Sequence, residues 1–439
     1  MSEQHDDLHS IRERLRGSVI AIVPYCHPDW AWTHTRHWHE VRYVLVINEV
    51  LDILRRQEEE GVPRDAPHAF RWYADAWVTE MLPFVQAHPE RLEELRMRVR
   101  AGSIAICGGY ANVRINHVPG ETFVRAMVLG RREFQRLLPE ADLSVHADIV
   151  DVAVGHPQTP QLLRLAGYQY LRFWRPHDAL NARGIPHQFI WEGVDGSRVI
   201  AQRGSYGGVH LTDYAPEDMT ERWDEVVRYW WRAQLAEKRD RTPVDLMVVY
   251  HGCDDGRPLR THVAQDLPLD LPRLIREWNQ REQSQMRFAT PVEVFALLNQ
   301  RRDELPVVKG TLDPCDVCYN VAWGGSKGLW RLREECAGEI GAAEALDALT
   351  LAAGISELDP AQAQRETEDL WRDALLCSAH ATQWLFQGDF DELHALATDT
   401  VCRARQRQAQ RLKAIAARVA APKDALALVY NPLPFERTV

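Results

Sequence analysis

Between Val19 and about Gly310, short apolar runs alternate with longer stretches of helical periodicity. Val19–Val23 predicts a strand and His39–Glu60 a helix. Phe70–Tyr73 predicts a strand, Pro89–Arg100 a helix, Ser103–Cys107 a strand and Glu121–Leu138 a helix. Ser144–Val150, Thr159–Ala166 and Tyr168–Phe173 continue the alternation as strand, helix and strand. Gln188–Trp191 and Arg198–Ala201 read as a hairpin around Asp195-Gly196, followed by a helix over Met219–Glu237 and a strand over Leu246–Tyr250. Such alternation predicts a parallel sheet with crossover helices, and at this length a closed or distorted α/β barrel.

Past Lys327 the strand signals stop. Three stretches, 327–350, 361–387 and 390–420, are rich in Ala, Leu, Glu and Arg at helical spacing and predict a small helical bundle. Leu426–Arg437 reads as a strand entering a new unit. The expected divisions are a polar N-terminal tail over 1–17, a barrel over 18–325, a helical bundle over 326–422, and the start of a further domain over 423–439.

Composition narrows the function classes. The 439 residues are 45% hydrophobic and 26% charged, an ordinary globular balance. A net charge of −11 argues against a nucleic-acid partner or an anionic membrane surface, both of which need basic surface. No apolar run reaches membrane length, and Met1–Ser18 lacks the apolar core of a signal peptide. Eight unpatterned cysteines fit a reducing compartment, so a cytoplasmic location is expected. A homo-oligomer is compatible with all of this. The 15 tryptophans are many for this length; most pack cores, but indole faces also stack on sugar rings.

Three predicted strand ends carry acids or histidines. His27 and Asp29 follow the first strand, and in extended chain residues two apart point the same way. Asp148 lies at the end of the strand Ser144–Val150 and Asp151 and His156 follow it, while His251, Asp254 and Asp255 follow Leu246–Tyr250. In a parallel barrel all three ends fall on the rim where catalytic groups collect. Alone, a His-x-Asp is usually a capped turn and an Asp-Asp-Gly a solvated loop; their shared rim is what raises them. Two aspartates and a histidine suit zinc or a similar divalent ion. A further carboxylate completes the nucleophile and proton-donor pair that glycoside cleavage needs.

Several segments resemble glycoside hydrolase family 38, the retaining α-mannosidases. His27-Pro-Asp29-Trp30 is similar to the family's His-x-Asp metal motif, and Arg71–Trp77 to its second strand. Gly108-Gly109-Tyr110 with Asn116 and Pro119-Gly-Glu121 resembles its Gly-Gly-Trp…Asn…Ser-Gly-Glu segment. Asp151, nine residues before Pro160-Gln161, sits where the family has its nucleophile, although Gly155 follows it by four residues where the family has three. Phe189–Ser197 is close to the specific Phe-x-Trp-Glu-Gly-Ile-Asp-Gly-Ser, and Tyr430–Arg437 resembles the strand opening the family's β-sandwich.

The resemblance implies a distorted (β/α)7-type barrel followed by a three-helix bundle, with the β-domains missing. It implies one Zn2+ held by His27, Asp29 and Asp151, with Asp151 also the nucleophile and a carbohydrate as substrate. Asp255 or Asp254 would be the acid/base, Asp255 being favoured. Apart from the resemblance, Trp30 and Trp323 flank predicted site residues and read as substrate-pocket walls, Asp75 as a substrate contact or a structural cap, and Asn116 as a substrate contact. The family's fourth ligand is a histidine just before the bundle. Here no histidine lies between His262 and His380, so the position falls to Asn320, to His251, or to water.

Two other readings compete. A weak or inactive homologue would keep the barrel as a carbohydrate-binding or scaffold protein. A metal-dependent polysaccharide deacetylase ranks third, because no His-x-x-x-His follows Asp151. Cys315 and Cys318 read as incidental, and His34, His37 and His39 as histidines at the surface of a helix start.

Overall fold

A computed structural model describes residues 7–113, 118–147, 155–204, 219–261, 266–312, 329–355, 359–380, 386–420 and Asn431. Its strands are β1 (Val19–Pro24), β2 (Trp72–Ala76), β3 (Ile104–Gly109), β4 (Val145–Ala147) and β5 (Tyr170–Phe173). They continue with β6 (Gln188–Glu192), β7 (Arg198–Arg203), β8 (Leu246–His251), β9 (Gln285–Phe288) and β10 (Val307–Lys309). The expected mixed α/β class is the one found. The strands make three ladders, β8-β1-β9, β2-β3 and β10-β6-β7-β5-β4. All pairings are parallel except the β6–β7 hairpin. A bridge between Tyr25 and Tyr73 links the end of β1 to β2, so the ladders follow a barrel-like course with interruptions.

Alternation along the strands separates two cores. Ala21 and Val23 of β1, with Tyr25 just past it, join Tyr73, Cys107, Val248 and Tyr250 in an inner cluster. Ile20 and Ile22, the intervening residues, pack outward against helices with Trp72, Ala74, Met247 and Val249. Val294, Phe295 and Leu298 of the helix Pro291–Gln300 complete the inner cluster. The helix Arg36–Glu59 shows why pattern sufficed here. Its buried residues are His39, Tyr43, Val46, Ile47, Val50, Leu51 and Leu54, a stripe at 3.6-residue spacing. Thr35 caps it, its hydroxyl accepting from the Trp38 N–H at 3.3 Å.

Some elements escape the pattern. The expected polar tail contains a helix, Leu8–Leu15, that buries Ile11 and Leu15, so the described part of that segment belongs to the packed fold. Two apolar contacts in eight residues are too few to shift its polar composition. β9 is four residues long with two buried side chains, Met286 and Phe288, which join the outer cluster, and Leu271–Arg281 precedes it as a helix. The helix expected over Met219–Glu237 starts at Trp223 and is interrupted by a π turn over Trp231–Leu235.

The bundle follows expectation, with helices Leu329–Ala352, Pro360–Ser378 and Gln387–Ala416. Asp347 lies buried between Arg407 and Arg411, an internal ion pair linking the first and third helices. The bundle docks on the helix Gly120–Leu137 through Arg125–Glu344 at 2.8 Å, Arg132–Glu368 at 2.7 Å and Arg372–Glu133 at 2.9 Å. The Arg125 guanidinium also covers the buried Trp371 at 5.3 Å. At the other edge Arg36 pairs with Glu392 at 2.7 Å, and its N–H donates to Asp389 at 3.0 Å. Residues 423–439 lie outside the described residues apart from Asn431.

Candidate active site at the strand ends

β1 and β8 run in register from Val19 opposite Leu246 to Pro24 opposite His251. Their pairing continues past both strands. The Tyr25 N–H donates to the His251 carbonyl at 3.1 Å, His27 N–H to Cys253 at 3.0 Å, and Asp255 N–H to His27 at 3.1 Å. This places the Asp254-Asp255 turn directly beside His27. Gly252 permits the approach: a Cβ there would lie 2.1 Å from the Tyr25 carbonyl oxygen. Below, Arg172 stacks over Tyr250 at 4.0 Å and Tyr25 at 5.1 Å, forming a fully buried floor.

His27 and Asp29 converge as the i, i+2 spacing predicts, with Nε2 and Oδ1 3.5 Å apart. A third group arrives from the bundle. His380, just past the second bundle helix, places its Nε2 3.0 Å from His27 Nε2 and 3.4 Å from Asp29 Oδ1. All three side chains are buried. Burial opposes the Asp29 charge, but hydrogen bonds from His27 and His380 overcome it and hold the carboxyl well below its ordinary range. A tetrahedral ion with bonds of 2.0–2.1 Å separates its ligands by about 3.3–3.4 Å. The three observed separations lie within a few tenths of an ångström of that edge. The donor set and its spacing therefore fit a zinc-like ion.

His380 is itself held. Its N–H donates to the Asn112 carbonyl at 2.6 Å, and the Asn112 amide donates to Asp75 Oδ1 at 3.3 Å. The Asp75 N–H donates in turn to Glu80 Oε2 at 3.0 Å. Glu80 is wholly buried in a π turn, and burial, reinforced by Asp75, pushes its carboxyl well above the ordinary range. Gly108 sets the β2–β3 contact here, since a Cβ would lie 1.3 Å from the Asp75 carbonyl oxygen.

The paired aspartates differ sharply. Asp255 is 2% exposed and faces the helix Arg36–Glu59. Tyr43 O–H lies 2.5 Å from its Oδ1 and also contacts the Asp29 carbonyl oxygen. His39 Nε2 lies 3.4 Å from its Oδ2, and Arg42 donates to its backbone oxygen at 2.8 Å. Its φ of 54° is left-handed, a conformation that aspartate tolerates better than most residues. Asp254 is only partly buried, forms a bridge with His27, and acts electrostatically on Tyr25 of the inner cluster.

Of the other expected site residues, Trp30 is buried beneath the Arg36 guanidinium at 5.4 Å. It lines a groove of about 560 Å³ with Val41, Leu82 and Leu376. Asp75 is buried, and its carboxylate supports Asn112. His251 ends β8 and is buried. Among the described residues, the histidine that converges with His27 and Asp29 is His380 rather than His251. Asp151, Asn116, Asn320 and Trp323 lie outside the described residues. His39, expected at the surface, is fully buried. Sequence reading passed over His380, Asn112 and Tyr43. The available signal for His380 was its place as the first histidine after His262, closing a long helix of otherwise ordinary composition.

Residues 18–311 match the glycosyl hydrolases family 38 N-terminal domain. Alpha-mannosidase G of Dictyostelium discoideum is 24% identical over 288 residues, which are 65% of this chain and 24% of that protein. Alpha-mannosidase 2C1 of Mus musculus is 25% identical over 310 residues, 69% of this chain and 26% of that protein. The chain thus spans about a quarter of the length of these curated relatives. An alpha-mannosidase from Enterococcus faecalis V583 superposes with a TM-score of 0.69 at 17% identity, covering 91% of this chain and 43% of its own. The alpha-amylase AmyC of Thermotoga maritima superposes at 0.52 with 10% identity, over 92% of this chain and 94% of its own. No helix among the described residues is long and apolar enough to cross a membrane. With the match spanning 18–311 of 439 residues, the chain belongs to glycosyl hydrolases family 38 through that family's N-terminal domain.

Proposed function

We propose that this chain carries the catalytic barrel of a zinc-dependent retaining glycoside hydrolase acting on α-linked mannosides. The observation that carries the reading is the convergence of His27, Asp29 and His380 at tetrahedral spacing beside the Asp254-Asp255 turn. His27, Asp29 and His380 would hold the ion, with Asp151 as the fourth protein ligand. Bound there, zinc supplies Lewis-acid binding of adjacent sugar hydroxyls. The Asp151 carboxylate attacks the anomeric carbon as the leaving oxygen departs, giving a covalent glycosyl intermediate. An aspartate of the turn protonates that oxygen and then takes a proton from the water that releases the sugar.

Asp254 suits the acid/base role better than Asp255, reversing the preference drawn from sequence. A proton donor must reach the glycosidic oxygen, and Asp254 is partly open beside His27. Asp255 is enclosed by Tyr43 and His39. Trp30 and the groove beside it suit contact with the leaving group. The inactive-homologue reading drew part of its strength from a missing histidine ligand; His380, which follows the second bundle helix rather than preceding the bundle, supports the metal-binding reading instead.

The test is turnover of an activated aryl α-mannoside with bound zinc measured in parallel. Asp151→Ala is expected to abolish turnover with the fold retained by circular dichroism. Asp254→Asn is expected to slow substrates with poor leaving groups far more than activated ones. Unchanged turnover in Asp151→Ala would sink the mechanism.

A further inference from the structure

A second group of ligand atoms stands beside the first. One ring nitrogen of His34, one of His39 and a carboxylate oxygen of Asp255 lie within 4.8 Å of one another. His39 is 0% exposed. Its Nδ1 faces the Thr35 carbonyl oxygen at 3.0 Å, which places the ring proton there and leaves Nε2 as the lone-pair nitrogen. That Nε2 is buried without a hydrogen-bond partner and points toward Asp255 Oδ2, 3.4 Å away. A metal-bound imidazole has the same arrangement: one nitrogen on a backbone carbonyl, the other free for the ion. Asp255 is equally prepared, because Tyr43 lies against its Oδ1 and leaves Oδ2 toward the histidines. His34 is fixed by stacking on Trp38, with ring centroids 3.8 Å apart, and by Thr33 at 3.0 Å from its Nδ1.

We propose that His34, His39 and Asp255 form a second divalent-cation site, distinct from the one at His27, Asp29 and His380. Two imidazoles and one carboxylate select a zinc-type ion over calcium or magnesium, which take oxygen donors. His34 is only partly buried, so solvent water reaches the remaining position. The ion ties the Asp254-Asp255 turn to the start of the helix Arg36–Glu59. The rival occupant is a proton: Asp255 and Asp29 favour the charged ring of His39 against its burial and raise its pKa. A proton makes a two-membered pair of His39 and Asp255 and has no need of His34.

The experiment loads the whole chain with zinc, dialyses it, and counts ions by mass spectrometry in the wild type, His34→Ala and His380→Ala. Partly exposed His34 is the substitution that spares the core, and thermal melting confirms the fold. Two ions per chain are expected in the wild type and one in each variant, each lost from a different site. In cobalt-loaded protein, His34→Ala is expected to remove one of two sets of absorption bands. A wild type with one ion that His34→Ala keeps and His380→Ala loses overturns this second site and leaves the first standing. Two ions retained in His34→Ala also overturn it, and no ion in any form overturns both sites.

Discussion

The barrel strand ends and the helical bundle both reach one cluster of ligand atoms, by opposite structural means. His27 and Asp29 are placed by local backbone bonds: the Tyr25 and His27 N–H groups donate to His251 and Cys253, the Asp29 N–H turns back to the His27 carbonyl, and Gly252 makes room. His380 follows the end of a helix and is delivered by docking, through the ion pairs with Gly120–Leu137 and a backbone bond to Asn112. Precision in the first region is local. In the second it is borrowed from an interface. A rigid half-site completed by a docked group is therefore only as good as the docking.

The sharpest way to break this comparison is to remove one histidine from each region. Four-ligand zinc sites bind with about 10–16 kcal/mol, so one imidazole carries roughly 3 kcal/mol, more than 100-fold in affinity. His27→Ala and His380→Ala are expected to lose zinc and turnover alike. Retention of zinc by His380→Ala alone would reduce the bundle to packing. Glycine substitutions come next. Gly108→Ala drives a Cβ into the Asp75 backbone and is expected to cost about 3 kcal/mol or more in urea unfolding. Gly338→Ala in the first bundle helix meets nothing within 4 Å and is expected to stabilise by about 0.5–1 kcal/mol.

Asn112→Ala tests the borrowed precision, because it cuts the link to Asp75 while leaving the backbone bond to His380 possible. Its expected cost is about 10-fold in zinc affinity, measured by chelator competition. The smallest effect is one of sign. The Glu80 carboxyl has a raised pKa in the fold, so the folded state keeps its proton where the unfolded chain has lost it. Its contribution is favourable below the unfolded value near 4.5 and declines as pH rises toward the folded pKa. Glu80→Gln should flatten that decline in thermal melts, gaining on the wild type as pH rises from 4 to 8. An unchanged pH profile would leave Glu80 with no part in it.

The same contrast governs what a reader of the sequence could see. Period-two alternation in β1 and the 3.6 stripe of Arg36–Glu59 are local, and they exposed the barrel core and the His27–Asp29 half-site. Asp255 was visible as chemistry, but its direction was not: a left-handed φ turns it under Tyr43, and no spacing rule records that. β9 was too short to register, and the Leu8–Leu15 helix has two buried side chains against a polar composition. His380 left only a faint signal, for a different reason. Its role is set by where a bundle docks, a property of surfaces far from it in the chain.

His380 and His27 are 353 positions apart, and that separation gives the site a history as well as a geometry. A ribosome adding about 5–20 residues per second takes roughly 20–70 s to travel between them. For that interval the chain holds His27 and Asp29 but not the third member of the cluster. Closure waits on the emergence of the first two bundle helices. The arrangement acts as a record of completion: a chain released early, before position 380, lacks the third bundle helix along with the histidine that meets His27 and Asp29.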